Sequence, residues 1–299
     1  MTEFPPEQLA AIVVCGVLIL LLVVPCALCC CLDISTPYYE RSCQSTGTCP
    51  LAHEVEGARV RVYYARSTSV IGACGCHPWV AVKERGAAQW EIWQVIGWRL
   101  YMGLDSCVDQ RSGQPDRLWY GQTPVLAGEV EGAQAEAAIP RIREAAANYR
   151  YGAKYRLCPG PNSNTFVAHL IRSSGLRIAL PPMSIGKDYV YGRGCVQRPP
   201  SGTGVQWSLC GCGVLGVTCS AEEGLRVQIL MMEVGLNPRK AELHWPGIGT
   251  IRLRACCCCR RQRDEYCVDP VRPWPLTEAE RAAAIAGTSG WNLEDGVMS

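Results

Sequence analysis

The sequence predicts an α+β fold, with an N-terminal transmembrane helix followed by an antiparallel sheet against which helices pack. Three observations carry that expectation. An uncharged run occupies Leu9 to Leu32, segments at 58–65 and 77–83 alternate apolar and polar residues, and two later stretches space their apolar residues as helices do.

The first element is the clearest. Its 24 residues, at about 1.5 Å of rise each, would reach roughly 36 Å, enough for a hydrocarbon layer of about 30 Å. The preceding MTEFPPEQ has no Lys or Arg, unlike the basic leader of a cleaved signal peptide, so the expectation is an uncleaved single-pass anchor in the lipid bilayer. Basic residues occur only on its C-terminal side, at Arg41, Arg59, Arg61 and Arg66, which points to a cytoplasmic-facing domain. The resulting plan is a flank over 1–8, the transmembrane helix over 9–32, a linker over 33–57, the α+β domain over 58–252, and a Cys/Arg-rich loop and tail over 253–299.

Within the domain, ARVRVYYA (58–65), HPWVAVK (77–83) and WEIWQVIGW (90–98) read as strands, the last two joined as a hairpin through KERGAAQ. DRLWYG (116–121) is a further candidate strand. Residues 130–149 read as a helix containing Pro140, and a second helix runs from Asn162 to Ser173, with Phe166, Val167, Leu170 and Ile171 on one face. VQWSLCGCGVLGVTC (205–219) is too short to span a bilayer and reads as buried core, and LRVQILMMEVGL (225–236) as a strand. In the tail, Thr277 and Glu280 form a capping box for a short Ala-rich helix.

The 29 basic and 27 acidic residues nearly cancel, so no bulk field implies nucleic acid as a partner. The 20 cysteines do not form a disulfide framework: Cys29–Cys31 and Cys256–Cys259 are contiguous, a spacing that disfavours pairing. Cys26, Cys29, Cys30 and Cys31, at the exit of the apolar run, are candidates for S-acylation if that end is cytoplasmic, against the plainer reading of cysteine as small apolar filler. The same choice applies to CCCCRRQR (256–263). Cys74, Cys76 and His77, with Cys210 and Cys212, have C-x-C spacing rather than paired zinc knuckles, so neither a metal nor a cofactor is assigned. Gly211 to Gly216 matches the dinucleotide fingerprint in letters, but VTCSAEEGLRV after it is no helix.

One pair has catalytic potential. His77 starts a core strand, and Ser163 opens a helix whose dipole and free N–H groups favour negative charge. An imidazole beside a hydroxyl can take its proton, and Asp188 or Asn164 would orient the ring. The competing reading is structural: Asn162 or Ser163 caps the helix, and His77 is a core histidine.

Eight segments occur together in order: HPWVAVK (77–83), QVIGW (94–98), PDRLWYG (115–121), PGPNSNTFVAHLI (159–171), LPPMSIGKDYV (180–190), PSGTGVQWSL (200–209), EEGLRVQIL (222–230) and LHWPGIGTIR (243–252). Over roughly 58–252 the chain resembles the uncharacterised bacterial family known as domain of unknown function 3750. That resemblance implies a hydrophobic N-terminal segment and no known activity. Pro78 stands where the family usually has Thr in His-Thr-Trp. More distantly, a strand histidine followed by N-S-N-x-F is similar to the circularly permuted papain-like hydrolases, among them the PPPDE, NlpC-like and lecithin:retinol acyltransferase-like groups. This likeness implies a permuted papain-like fold with Ser163 in place of the catalytic cysteine. Two functions follow, a hydrolase or acyltransferase at His77 and Ser163, or a non-catalytic, membrane-tethered binding or scaffolding domain. A Cys-based metal or redox site is a weaker third.

Overall fold

The strand pattern extends much further along the chain than the helix pattern, and strands dominate the result. The computed structural model describes residues 5–32, 35–37, 40–190 and 194–253. It has two antiparallel sheets and few helices, which corrects the expectation of an α+β domain built on one sheet. The first sheet has five strands in the order β4-β3-β2-β1-β5. They are β1 (Arg59–Arg66), β2 (Cys76–Lys83), β3 (Glu91–Val95), β4 (Val108–Ser112) and β5 (Val125–Glu131). The second is a seven-stranded meander running from β12 back to β6: β6 (Val196–Gln197), β7 (Val205–Ser208), β8 (Leu215–Ser220), β9 (Gly224–Ile229), β10 (Met232–Asn237), β11 (Glu242–Trp245) and β12 (Gly249–Arg252).

The membrane anchor is also corrected. The apolar run is helical, as α1 (Pro6–Cys30), but among the described residues no helix is long and apolar enough to cross a membrane. Pro25 lies inside α1, where it removes a backbone donor. The last turns face protein: a Cβ on Gly247, in the β11–β12 turn, would lie 2.8 Å from Leu28 Cδ1. The run read as one lipid-facing span is therefore engaged by the domain at its end. The single-pass description, the membrane localisation and the cytoplasmic facing fall with it.

Period-2 alternation gives the first sheet two apolar faces. Val60, Val62, Val80 and Val82 face α3 (Gly132–Ala147) and α4 (Ser163–Ser174), meeting Ile139, Ile142, Phe166, Val167, Leu170 and Ile171 in the main core. Tyr63, Ala65, Trp79, Ala81 and Ile92 form a second, aromatic core with Trp90, Trp119 and Tyr120 on the opposite face. The expected strand at 116–121 is not one. It is a turn with isolated bridges at Ser45–Arg117 and Trp119–Gln122, and it folds over this aromatic face. A chain reversal anchors it: Asp116, fully buried, accepts from Ser45 Oγ at 2.7 Å and from the backbone N–H groups of Thr48 and Cys49 at 2.6 and 3.0 Å.

The two sheets are joined by charge. Lys187 and Asp188 follow α4 in the connection to the second sheet and are almost fully buried, as are Arg226, Gln228 and Glu233 on its inward face. Lys187 Nζ lies 2.6 Å from Asp188 Oδ2 and also pairs with Glu233. Arg226 Nη1 donates to Glu233 Oε1 at 2.9 Å and to the Leu180 carbonyl at 3.1 Å, and Gln228 donates to Asp188. Burial would raise the Glu233 carboxyl, but Lys187 and Arg226 hold it down at about 2. The inward face of the second sheet is thus polar and its outward face apolar. This corrects the reading of 205–219 as buried core, because Val205, Leu215 and Val217 are exposed.

Removing one member of a buried ion cluster leaves its partners uncompensated, so Lys187→Met is expected to cost about 3–5 kcal/mol, read from the urea midpoint. A loss below about 1 kcal/mol, the range of a surface pair, would show that the cluster does not join the sheets.

Candidate functional site

The start of α4 separates two roles that one short motif could play. Asn162 is the cap: its side chain accepts from the Thr165 N–H at 3.1 Å, and its own N–H donates to Thr165 Oγ1 at 3.1 Å. The Asn162 amide also donates to the carbonyls of Leu157 and Ile185 at 2.8 and 2.9 Å. That close fit needs Gly186, since a Cβ there would sit 2.5 Å from the Asn162 amide nitrogen. At the other end Gly175, with φ 75°, closes the helix in the left-handed conformation. Ser163 sits buried at the first helical position and takes no part in the cap. Asn164 donates to the carbonyls of Cys76 and Ile185 at 3.2 and 2.8 Å.

His77 belongs to the other side of the sheet. In β2, Val80 and Val82 face the helices whereas Trp79 and Ala81 face the aromatic core, and His77 shares the parity of Trp79. It is buried and stacks on Trp119 with centroids 3.6 Å apart and planes 5° from parallel. Its Nε2 lies 3.0 Å from Gln94 Oε1. Gln94 donates through Nε2 to Asp109 at 2.8 Å, and Asp109 pairs with Arg99 at 3.1 Å. Because Gln94 spends its N–H on Asp109, its oxygen faces the imidazole, so His77 Nε2 carries the proton and is no base. Burial pushes the imidazole down to about 3, opposed by the bond to Gln94 and reinforced by Arg111.

The structure therefore does not assemble the four sequence candidates. Ser163 and Asn164 open the helix on one face of the sheet, His77 stacks on the other, and Asp188 is held in the intersheet charge cluster. The group facing the α4 start from β2 is Cys76, whose Sγ lies 3.3 Å from Ser184 Oγ and 3.7 Å from Asn164 Oδ1. Burial pushes this thiol up to about 12, which keeps it protonated and unreactive. Among the described residues, no group of three or more His, Cys, Asp or Glu could hold a metal ion. Cys26, Cys30 and Cys31 are exposed free thiols and Cys29 is half-buried. Residues 256–263, Thr277 and Glu280 lie outside the described residues.

The sequence reading missed the residues around Trp119. Trp79, Ile92, Arg111, Gln114, Pro115, Arg117, Leu118 and Trp119 line an open hollow of about 220 Å³. A usable signal was present in the register: β4 pairs Asp109 with Gln94 and Arg111 with Ile92, which puts both charged groups on the aromatic face.

Residues 57–189 match the model of a family described as a protein of unknown function (DUF3750). The match takes in the first sheet, α3, α4, Lys187 and Asp188. It stops before the second sheet, which the resemblance read from sequence had included up to 252. No curated protein and no solved structure matches the chain. The distant likeness to permuted papain-like hydrolases has no support from these comparisons, and the two-sheet architecture corrects the fold it implied.

Two outcomes follow from this geometry. Asn162→Ala is expected to cost about 2 kcal/mol, a lost cap plus lost amide bonds, while Ser163→Ala should stay within about 0.5 kcal/mol and leave fluorophosphonate labelling unchanged. For His77, the unfolded imidazole titrates near the ordinary 6.5 and the folded one near 3, so between those values only the unfolded chain binds the proton. Stability should thus fall as pH drops from about 6.5 towards 3, and His77→Gln should flatten that slope in denaturant titrations.

Proposed function

We propose that the chain is a non-catalytic scaffolding domain that associates with a second copy of itself through the outward face of its seven-stranded sheet. The carrying observation is the composition of that face. Val205, Trp207, Val217, Leu225, Val227 and Leu236 lie on it, each 37–53 % exposed. Every outward position from β7 to β11 is uncharged, while Arg226, Glu233 and His244 point inward. Side chains alternate across a sheet, so a polar inward face obliges the apolar set to face out.

Size and shape select the partner. Strands of four to six residues, at about 3.3 Å each and about 4.8 Å apart, make a patch of roughly 400 Å². Two such patches bury about 800 Å² in all, the size of a weak, reversible association. A flat apolar sheet is best covered by another at about 10 Å, and among the described residues this chain has no second uncovered one. A two-fold related copy has one, with no charge to repel it.

The hydrolase or acyltransferase reading is less favoured, because Ser163 and His77 sit on opposite faces of the first sheet. Sedimentation equilibrium of the wild-type chain should give a dimer. The double variant Val217→Lys, Val227→Lys should be monomeric with an unchanged circular dichroism spectrum. A wild-type chain that stays monomeric at all concentrations would overturn the proposal.

A further inference from the structure

The hollow beside Trp119 contains two polar groups left without partners. Arg111 Nε and Gln114 Oε1 have no solvent contact and no hydrogen bond, and Gln114 is 8 % exposed. One is a donor and the other an acceptor, and both groups line the same space. Buried polar groups are nearly always satisfied, so each orphan asks for a partner that the chain does not supply.

Charge is unbalanced in the same way. Arg111 has no carboxylate within salt-bridge distance among the described residues; Asp109 favours its charge from further off, and the neighbouring acids bond to other donors. Asp109 is held by Arg99 and Gln94, and Asp116 by Ser45 and the N–H groups of Thr48 and Cys49. Arg117, also on the wall, donates Nε to the Cys43 carbonyl at 2.9 Å and so adds a second positive charge without neutralising the first. Burial, with Arg117 beside it, pushes the Arg111 guanidinium down to about 10. Arg111 is half-buried, with Nε out of contact with water, so the guanidinium reaches the open side of the hollow, where an anion can pair with it.

We propose that this hollow binds a small oxyanion that also carries a hydroxyl hydrogen, such as hydrogen phosphate or bicarbonate. The anionic oxygen accepts from Arg111 Nε, and the hydroxyl donates to Gln114 Oε1. Guanidinium groups suit such oxygens because their donors are fixed in a planar fork. Trp79 and Trp119 form aromatic walls, and His77, stacked behind Trp119, adds no charge while neutral.

This site lies on the five-stranded sheet and is independent of the association face. Trp79 and Trp119 make it observable: tryptophan emission of the full chain is titrated with phosphate, bicarbonate, acetate and chloride at fixed ionic strength near neutral pH. Phosphate or bicarbonate should give a saturable change, with acetate, which lacks the hydroxyl, weaker by about tenfold, the worth of one hydrogen bond to a charged ligand. Arg111→Gln should abolish the change. Gln114→Leu should bring hydrogen phosphate and acetate to similar affinity while retaining anion binding, which tests the site even if Arg111→Gln does not fold. No saturable response to any of the four anions, or equal titrations for wild type and a folded Arg111→Gln, would overturn the assignment, as would an unchanged preference in Gln114→Leu.

Discussion

The buried contact between Lys187, Asp188, Glu233 and Arg226 governs the layout of the whole chain. Charges removed from water must meet partners at close range or the fold loses several kcal/mol per ion. Lys187 and Asp188 enter the interior on the connection after α4, and the opposing groups are available only on one side of the second sheet. That requirement turns Arg226, Gln228 and Glu233 inward. With the inward set fixed as polar, strict alternation leaves the outward set as Val, Leu, Ile and Trp. The ionic cluster and the exposed apolar face are therefore two consequences of one register.

The first sheet solves the opposite problem. Both of its faces are apolar, so it needs two covers. Helices α3 and α4 supply one, and the folded-back turn carrying Trp119 and Tyr120 supplies the other. The second cover is held by Asp116, a carboxylate satisfied almost entirely by hydroxyls and backbone N–H groups. Around it the packing is aromatic and cationic rather than aliphatic, and Arg111 Nε and Gln114 Oε1 stay unpaired there. His77 belongs to this cover. Its stacking and its bond to Gln94 explain a neutral histidine in the core without any catalytic duty.

How much of this was legible beforehand varies with the physics of each element. The α4 helix was readable nearly to the residue, because its signals are local: an Asn cap, an apolar face at 3.6-residue spacing and Gly175 after the last turn. β1 and β2 were readable because alternation is local too. Residues 116–121 were misread as a strand, since Asp116 takes its partners from Ser45 to Cys49, some 67 to 71 residues away. The pairing of His77 with Ser163 failed for a related reason. Spacing placed each on its own element, but the side of the sheet that His77 faces follows from the parity of β2 relative to α4. The apolar run at the N-terminus was read correctly as a helix and wrongly as a membrane span, because the contact between Leu28 and Gly247 joins residues more than 200 positions apart.

The sequence by itself determined the local elements of this protein: the capped α4, the alternating strands, and the likeness of residues 57–189 to an uncharacterised family. It could do so because capping, periodicity and turn chemistry act over a few residues. Only the tertiary structure decided which face of each sheet is inside, which charges meet, and that His77 stacks on the opposite face of the sheet from Ser163 and Asn164. Those outcomes depend on long-range pairing, where alternation permits two answers and the burial of charge selects one.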